Sequence, residues 1–218
     1  MDFAEARRFM VDGQLRPNRV EDPRVVAAFR ELPRERFVPA AMASRAYADA
    51  DVPLPGGRSM LKPLVLARLL QLSGLRRGER ALVLAAGTGY GAALMATMGA
   101  NVTAVESDPA LVAIARTAIA ASLPAGAVTV VQGAAEAGHA AGAPYDVIVI
   151  EGGVQAVPDA VQDQLVEGGR LVTIGLAGGP PGRALLLRRT GGAFSTMVDL
   201  DAHAPALPGF AAPAAFAF

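Results

Sequence analysis

The chain has 218 residues, 20 basic and 20 acidic side chains, 52% hydrophobic residues and no cysteine. That length suits one α/β domain with a large core, and a net charge of +0 gives no long-range pull toward nucleic acid or anionic lipid. Disulfides, thiolate nucleophiles and thiolate-held metals are excluded, and apolar stretches break before the roughly 18 residues of a membrane span, so neither a nucleic-acid nor a membrane partner is expected.

The opening Met1-Asp2-Phe3-Ala4-Glu5 lacks a basic, apolar leader pattern, which makes a cytoplasmic protein the expectation. Residues 1–75 read as helical pieces divided by Pro17, Pro23, Pro33, Pro39, Pro53 and Pro63. The clearest helix starts at Pro63, with Leu64, Val65, Leu69 and Leu72 at helical spacing and Ser73-Gly74 as its stop. Ahead of it, residues 49–60 form a Pro/Gly-rich loop too irregular for regular structure.

From Glu79 the pattern becomes βαβ: an apolar run at 81–84, a glycine turn, a helix from Gly91 and a second run at 102–105. Asp108-Pro109 opens a further helix to about Ser122, because an Asp oxygen accepts N-terminal amides and proline needs no donor at the first position. Strands follow at 128–131 and 145–150, the latter apolar enough for the middle of a covered parallel sheet. A helix at 158–165, a strand at 171–174 and a closing antiparallel pair at 184–187 and 194–200 complete the core, and 204–218 reads as extended and poorly regular.

The turn Ala85-Ala86-Gly87-Thr88-Gly89-Tyr90-Gly91 leaves bare backbone at a helix N-terminus, where free amides favour negative or polar ligand groups. Glu106 ends the next strand, 17 positions after Gly89, where a carboxylate can accept both ribose hydroxyls of a nucleotide-type ligand. Two ligands share this spacing. Gly87-x-Gly89-x-x-Ala92 fits the dinucleotide fingerprint, and the same residues fit an adenosylmethionine loop with its first members replaced.

Met10-Val11-Asp12-Gly13-Gln14-Leu15-Arg16, then Leu32-Pro33-Arg34-Glu35-Arg36-Phe37-Val38-Pro39, then Ala46-Tyr47-Ala48-Asp49, resemble the N-terminal signature of protein-L-isoaspartate O-methyltransferases. The likeness continues through Gly87-Thr88-Gly89-Tyr90, Val105-Glu106, Tyr145-Asp146-Val147-Ile148-Val149 and Gln164-Leu165-Val166-Glu167-Gly168-Gly169-Arg170-Leu171-Val172, covering roughly residues 8 to 176. The resemblance implies an α/β, Rossmann-like three-layer αβα methyltransferase fold whose mostly parallel sheet ends in an antiparallel strand. It implies three parts of one structural domain: an N-terminal helical cap with the substrate loop at 1–75, the cofactor-binding core at 76–190, and a closing strand with the tail at 191–218. It further implies S-adenosyl-L-methionine as cofactor and a damaged, isoaspartate-bearing protein or peptide as partner. A carboxylate is already nucleophilic and a sulfonium methyl already activated, so catalysis would be mostly alignment in a water-poor pocket.

Carried over residue by residue, cofactor contacts fall on Ala85, Gly87, Gly89, Glu106, Gly133 and Ala134. Ser59 keeps the hydroxyl expected at the catalytic loop, and Arg58, Lys62 and Glu151 are candidates for the substrate. Several positions depart from the pattern. Leu61 stands for a serine beside the substrate carboxylate and cannot donate to it. Val83 replaces the leading acid of the cofactor loop, Ala85 its first glycine, and Ala134 the acid at the adenine amino group, which Glu136 could replace from two positions later. Ala85 is tolerable if its φ stays negative. Glu151 follows the strand at 145–150, and its carboxylate would repel another unless it only caps a helix or faces water. His139 and His203 have no second ligand at metal spacing, so no metal is expected.

Three readings follow: an isoaspartyl methyltransferase; a divergent member acting on another acceptor or as a binding or scaffold protein; and a dinucleotide-binding protein. The last expects all-parallel strands to the end of the sheet, whereas the methyltransferase fold inserts a final antiparallel strand that 194–200 would supply.

Overall fold

The computed structural model describes residues 1–212. Its core is a seven-stranded sheet in the order β5-β4-β3-β6-β7-β8-β9. Strands β3 (Arg80–Leu84), β4 (Asn101–Glu106), β5 (Val128–Gln132), β6 (Tyr145–Val154) and β7 (Leu165–Gly175) run parallel, while β8 (Arg183–Thr190) runs against β7 and β9 (Ala193–Asp201) against β8. Strand order reverses between β3 and β6, which opens a crevice beyond their carboxyl ends. This is the Rossmann-like, mostly parallel arrangement that the alternation of apolar runs and helices predicts.

The antiparallel edge is present, but 194–200 is not inserted into the sheet. Gly191 and Gly192 take φ of 60° and 76°, the geometry of a two-residue hairpin turn, so β9 folds back outside β8 and becomes the edge strand.

Helices α3 (Pro63–Ser73), α4 (Tyr90–Thr97) and α5 (Pro109–Ala120) cover one face, joined by α1 (Phe3–Met10) and α2 (Pro23–Glu31), and their apolar residues merge with Val83, Val147, Val149 and Val172 in one cluster. Gly74 ends α3 in a left-handed conformation, and Asp108 caps α5 by accepting the Ala110 amide at 2.8 Å. The second face is covered more thinly. Its cluster of Leu82, Leu84, Ile148, Ile150 and Leu171 is closed by Val161 of the four-residue helix α6 (Asp159–Gln162) and by Phe210, which is 1% exposed. The expected helix at 158–165 is shortened because Leu165 already pairs with Tyr145 as the start of β7.

The segment expected to be poorly regular is docked as far as it is described. Pro205 O accepts the Gly153 amide at 2.9 Å, Gly153 O accepts the Leu207 amide at 2.8 Å, and Phe210 O accepts the Gln155 amide at 2.9 Å. Residues 213–218 lie outside the described residues. The loop at 49–60 also holds more order than expected, a minimal antiparallel pair of β1 (Val52–Pro53) and β2 (Ser59–Met60). No helix among the described residues is long and apolar enough to cross a membrane.

Candidate functional site

The glycine turn after β3 and the end of β4 meet at the crevice. Glu106 is fully buried, and its carboxylate accepts the amides of Gly87 at 2.7 Å, Ser107 at 2.8 Å and Asp108 at 3.1 Å. Gly87 and Gly89 have φ of 55° and 83°, a left-handed path that only glycine follows without strain. At Gly89 a Cβ would also lie 2.9 Å from Ile119 Cδ1, so the turn packs directly on α5.

Ala85 follows the same left-handed path, with φ of 54°, contrary to the expectation that its φ stays negative. The peptide must turn away from β3 so that the Ala86 amide can reach Val105 O at 3.1 Å, and alanine is held there at a cost of about 1–2 kcal/mol. Ala85→Gly is therefore expected to raise stability by roughly 0.5–1 kcal/mol after the larger entropy of the unfolded glycine chain is counted, as read by denaturant unfolding.

Arg58 enters the crevice from the loop that precedes β2. Its Nη1 donates to Glu106 Oε1 at 3.0 Å and its Nη2 to Ala85 O at 2.9 Å. The loop tip is seated so closely that a Cβ on Gly56 would lie 2.6 Å from Asp108 Oδ2. Arg58, Ala85, Ser107, Ala134, Glu136 and Pro208 line a cavity of about 230 Å³, smaller than an ordinary ligand pocket. Arg58, expected on the substrate side, thus lies against Glu106 and the glycine turn.

The other expected residues divide. Gly133 donates its amide to Glu106 O at 3.0 Å and Ala134 lines the cavity, with Glu136 beside it. Lys62 turns away: its ammonium lies 3.6 Å from Asp49 and its amide donates to Asp51 Oδ1 at 2.7 Å. Ser59 is half-buried in β2, paired with Pro53. Leu61 is 1% exposed, in the core cluster, and its carbonyl accepts Arg34 Nη2 at 2.8 Å. His139 is engaged with the Tyr145 hydroxyl, His203 lies 3.8 Å from Asp51, and no cluster of metal-ligating side chains occurs among the described residues.

Glu151 neither caps a helix nor faces water. It is 7% exposed at the crevice end of β6, and burial pushes its carboxyl up to about 8, against the pull of Arg34 and Arg58. At neutral pH it is largely uncharged, which removes the expected repulsion of a second carboxylate. The folded state holds this proton between the usual carboxyl value of 4.5 and about 8, where the unfolded chain has released it. Stability is therefore expected to fall as pH rises through that window, and Glu151→Gln to flatten the slope in unfolding curves taken from pH 5 to 8.

Sequence reasoning missed the group around it. Arg34 is fully buried, donates to Ala46 O at 2.7 Å and Leu61 O at 2.8 Å, and lies 4.9 Å over the Tyr90 ring, while desolvation pulls its guanidinium below the usual value. Arg34 Nη1, Tyr90 Oη, Thr88 Oγ1 and Glu151 Oε1 are all buried without a protein partner. Four orphaned polar atoms beside a glycine turn are what a polar ligand would satisfy. Arg34 stands in the quoted N-terminal signature and Thr88 and Tyr90 in the glycine turn, but nothing in the sequence joins them to Glu151.

A sequence model described as Protein-L-isoaspartate(D-aspartate) O-methyltransferase (PCMT) matches residues 7–177. The chain belongs to the protein-L-isoaspartate O-methyltransferase family. It is 41% identical to a protein-L-isoaspartate O-methyltransferase of Methylorubrum populi over 189 residues, 87% of this chain and 86% of that one. A relative from Rhodopseudomonas palustris is 41% identical over 170 residues, 78% of this chain and 69% of that protein. A solved protein-L-isoaspartate O-methyltransferase superposes with a TM-score of 0.81 at 28% identity, covering 94% of this chain and 67% of that one. The fold also matches, at a TM-score of 0.81 and 17% identity, a Plasmodium falciparum structure described as a complex with S-adenosyl-L-homocysteine, over 96% of this chain and 99% of that one.

Proposed function

We propose that this chain transfers the methyl group of S-adenosyl-L-methionine to the α-carboxylate of an isoaspartyl residue in a damaged protein, in the cytoplasm. Family membership over most of the chain carries the reading, and the buried Glu106 at the glycine turn gives it a chemical basis. The orphaned Thr88, Tyr90, Arg34 and Glu151 atoms fit a ligand with polar groups at one end. Glu106 would hold the ribose once Arg58 yields, with Ala85, Gly87, Gly89, Gly133 and Ala134 lending close backbone approach. When bound, the cofactor supplies a sulfonium methyl that a carboxylate oxygen takes directly. The C–S bond breaks with its electron pair left on sulfur, the new O–CH3 bond makes a methyl ester, and no proton moves. The chain's task is to align the acceptor beside Ser59 and to keep water out.

The test is incubation with methyl-labelled cofactor and two peptides that differ only in an isoaspartyl or an aspartyl linkage. Base-labile methyl ester on the isoaspartyl peptide alone is the expected result. Cofactor binding without ester on either peptide would sink the repair activity and favour the second reading, a member retained for binding or for another acceptor. The burial of Leu61 in place of a donor favours that alternative.

A further inference from the structure

Strand β3 offers no acid to the crevice, its residues being Arg80, Ala81, Leu82, Val83 and Leu84. The neighbouring strand does. Val83 is paired in register with Val149 of β6, and Glu151 stands two residues further along, on the same face because side chains alternate with period two. Pairing with β7 is interrupted between Val149 and Gly153, an irregularity that frees the backbone around Glu151 from the ladder at the crevice mouth.

The carboxylate is packed against the first turn of α4. A Cβ on Gly91 would lie 2.0 Å from Glu151 Oε1, so glycine at that position is what admits the side chain. Yet this oxygen has no partner, and Arg34 Nη1, the cation whose charge bears most on Glu151, is also without one. A buried carboxylate and a buried guanidinium that do not bond to each other leave two half-sites of opposite sign. An amino-acid group, with one ammonium and one carboxylate, has the matching chemistry, and S-adenosylmethionine ends in one.

We propose that Glu151 receives the α-ammonium group at the methionine end of the cofactor, supplying from β6 the negative charge that β3 lacks. The assignment rests on the cofactor reading above and moves Glu151 from the acceptor side of the site to the cofactor side. The charged and titratable groups facing it are Arg34 from the 34–37 turn, Arg58 from the loop before β2 and Glu106 from β4, with Tyr90 of α4 facing Arg34. An arriving ammonium would ionise a carboxyl that burial keeps protonated, so binding near pH 7 would release a proton.

The experiment is calorimetric titration of the full chain and of Glu151→Gln with two probes. S-adenosylhomocysteine carries the amino-acid end, and 5′-methylthioadenosine has the same nucleoside and sulfur without it. Glu151→Gln is expected to weaken S-adenosylhomocysteine about tenfold or more while leaving methylthioadenosine unchanged, since only a charge-assisted contact is removed. In the unaltered chain the heat of S-adenosylhomocysteine binding should depend on the ionisation heat of the buffer, a dependence lost in the variant. If Glu151→Gln does not fold, Glu151→Asp, which draws the charge back by one methylene, should show the same selective loss. Equal affinities for S-adenosylhomocysteine in variant and parent would overturn the assignment while leaving the cofactor reading intact. Failure of the unaltered chain to bind either probe would overturn both.

Discussion

Glu106→Ala is expected to weaken the binding of S-adenosylhomocysteine about a hundredfold or more and to lower the stability of the folded chain. The carboxylate is at once the acceptor for three backbone amides and the counter-charge of a nearly buried guanidinium. Removing one partner of such a pair leaves the other charge uncompensated, at a cost of about 3 kcal/mol or more. Losing two hydrogen bonds between a charged acceptor and ribose hydroxyls weakens binding by about a hundredfold or more, at roughly 1.5 kcal/mol or above for each. Glu106→Gln keeps the shape but turns an amide donor toward a ring of donors, so it should fold poorly as well. Calorimetric titration and thermal unfolding separate the two effects, and a Glu106→Ala protein that binds S-adenosylhomocysteine like the parent would show that the nucleoside lies elsewhere.

Arg34→Ala is the second large effect. The guanidinium reaches Ala46 O, 12 residues on, and Leu61 O, 27 residues on, and stacks on Tyr90, whose ring also meets Phe29 and Phe37 edge-on. Alanine leaves two buried carbonyls unpaired, at about 1–3 kcal/mol each, together with a cavity where the side chain stood. A total near 3–5 kcal/mol corresponds to a fall in Tm on the order of 10 °C for a chain of this size. Arg34→Lys should recover only part of it, because a single ammonium cannot reach both carbonyls in the guanidinium's fork geometry. A Tm within 2–3 °C of the parent would show that neither bond holds the loops together.

The frame of the fold was legible because it rests on local pattern. The apolar runs at 81–84, 102–105 and 145–150 are β-forming, and Asp108-Pro109 caps as such pairs do. The glycine turn and Glu106 were legible for the same reason, since strand, turn and acid follow each other in the chain. What escaped was set by contacts between distant residues. Nothing near Glu151 in sequence says that Gly91 will make room for it, and nothing near Arg58 says that it will reach Glu106, 48 residues away. Ala85 was misjudged because its positive φ comes from the crossing to Val105 O, a partner on another strand. The docking of residues 205–210 escaped because its hydrogen bonds run to Gly153 and Gln155, about 50 residues earlier in the chain.

The placement of Arg58 also couples the two sides of the crevice. It sits one residue before Ser59, so the hairpin that carries the hydroxyl proposed for the acceptor side is pinned to the carboxylate proposed for the nucleoside. A ribose that displaces the guanidinium from Glu106 unpins that hairpin, and a ligand that holds the hairpin in another position frees Glu106. Each event lowers the free energy of the other by the same amount, so the two ligands of this site would bind cooperatively, with one arginine as the linkage between them.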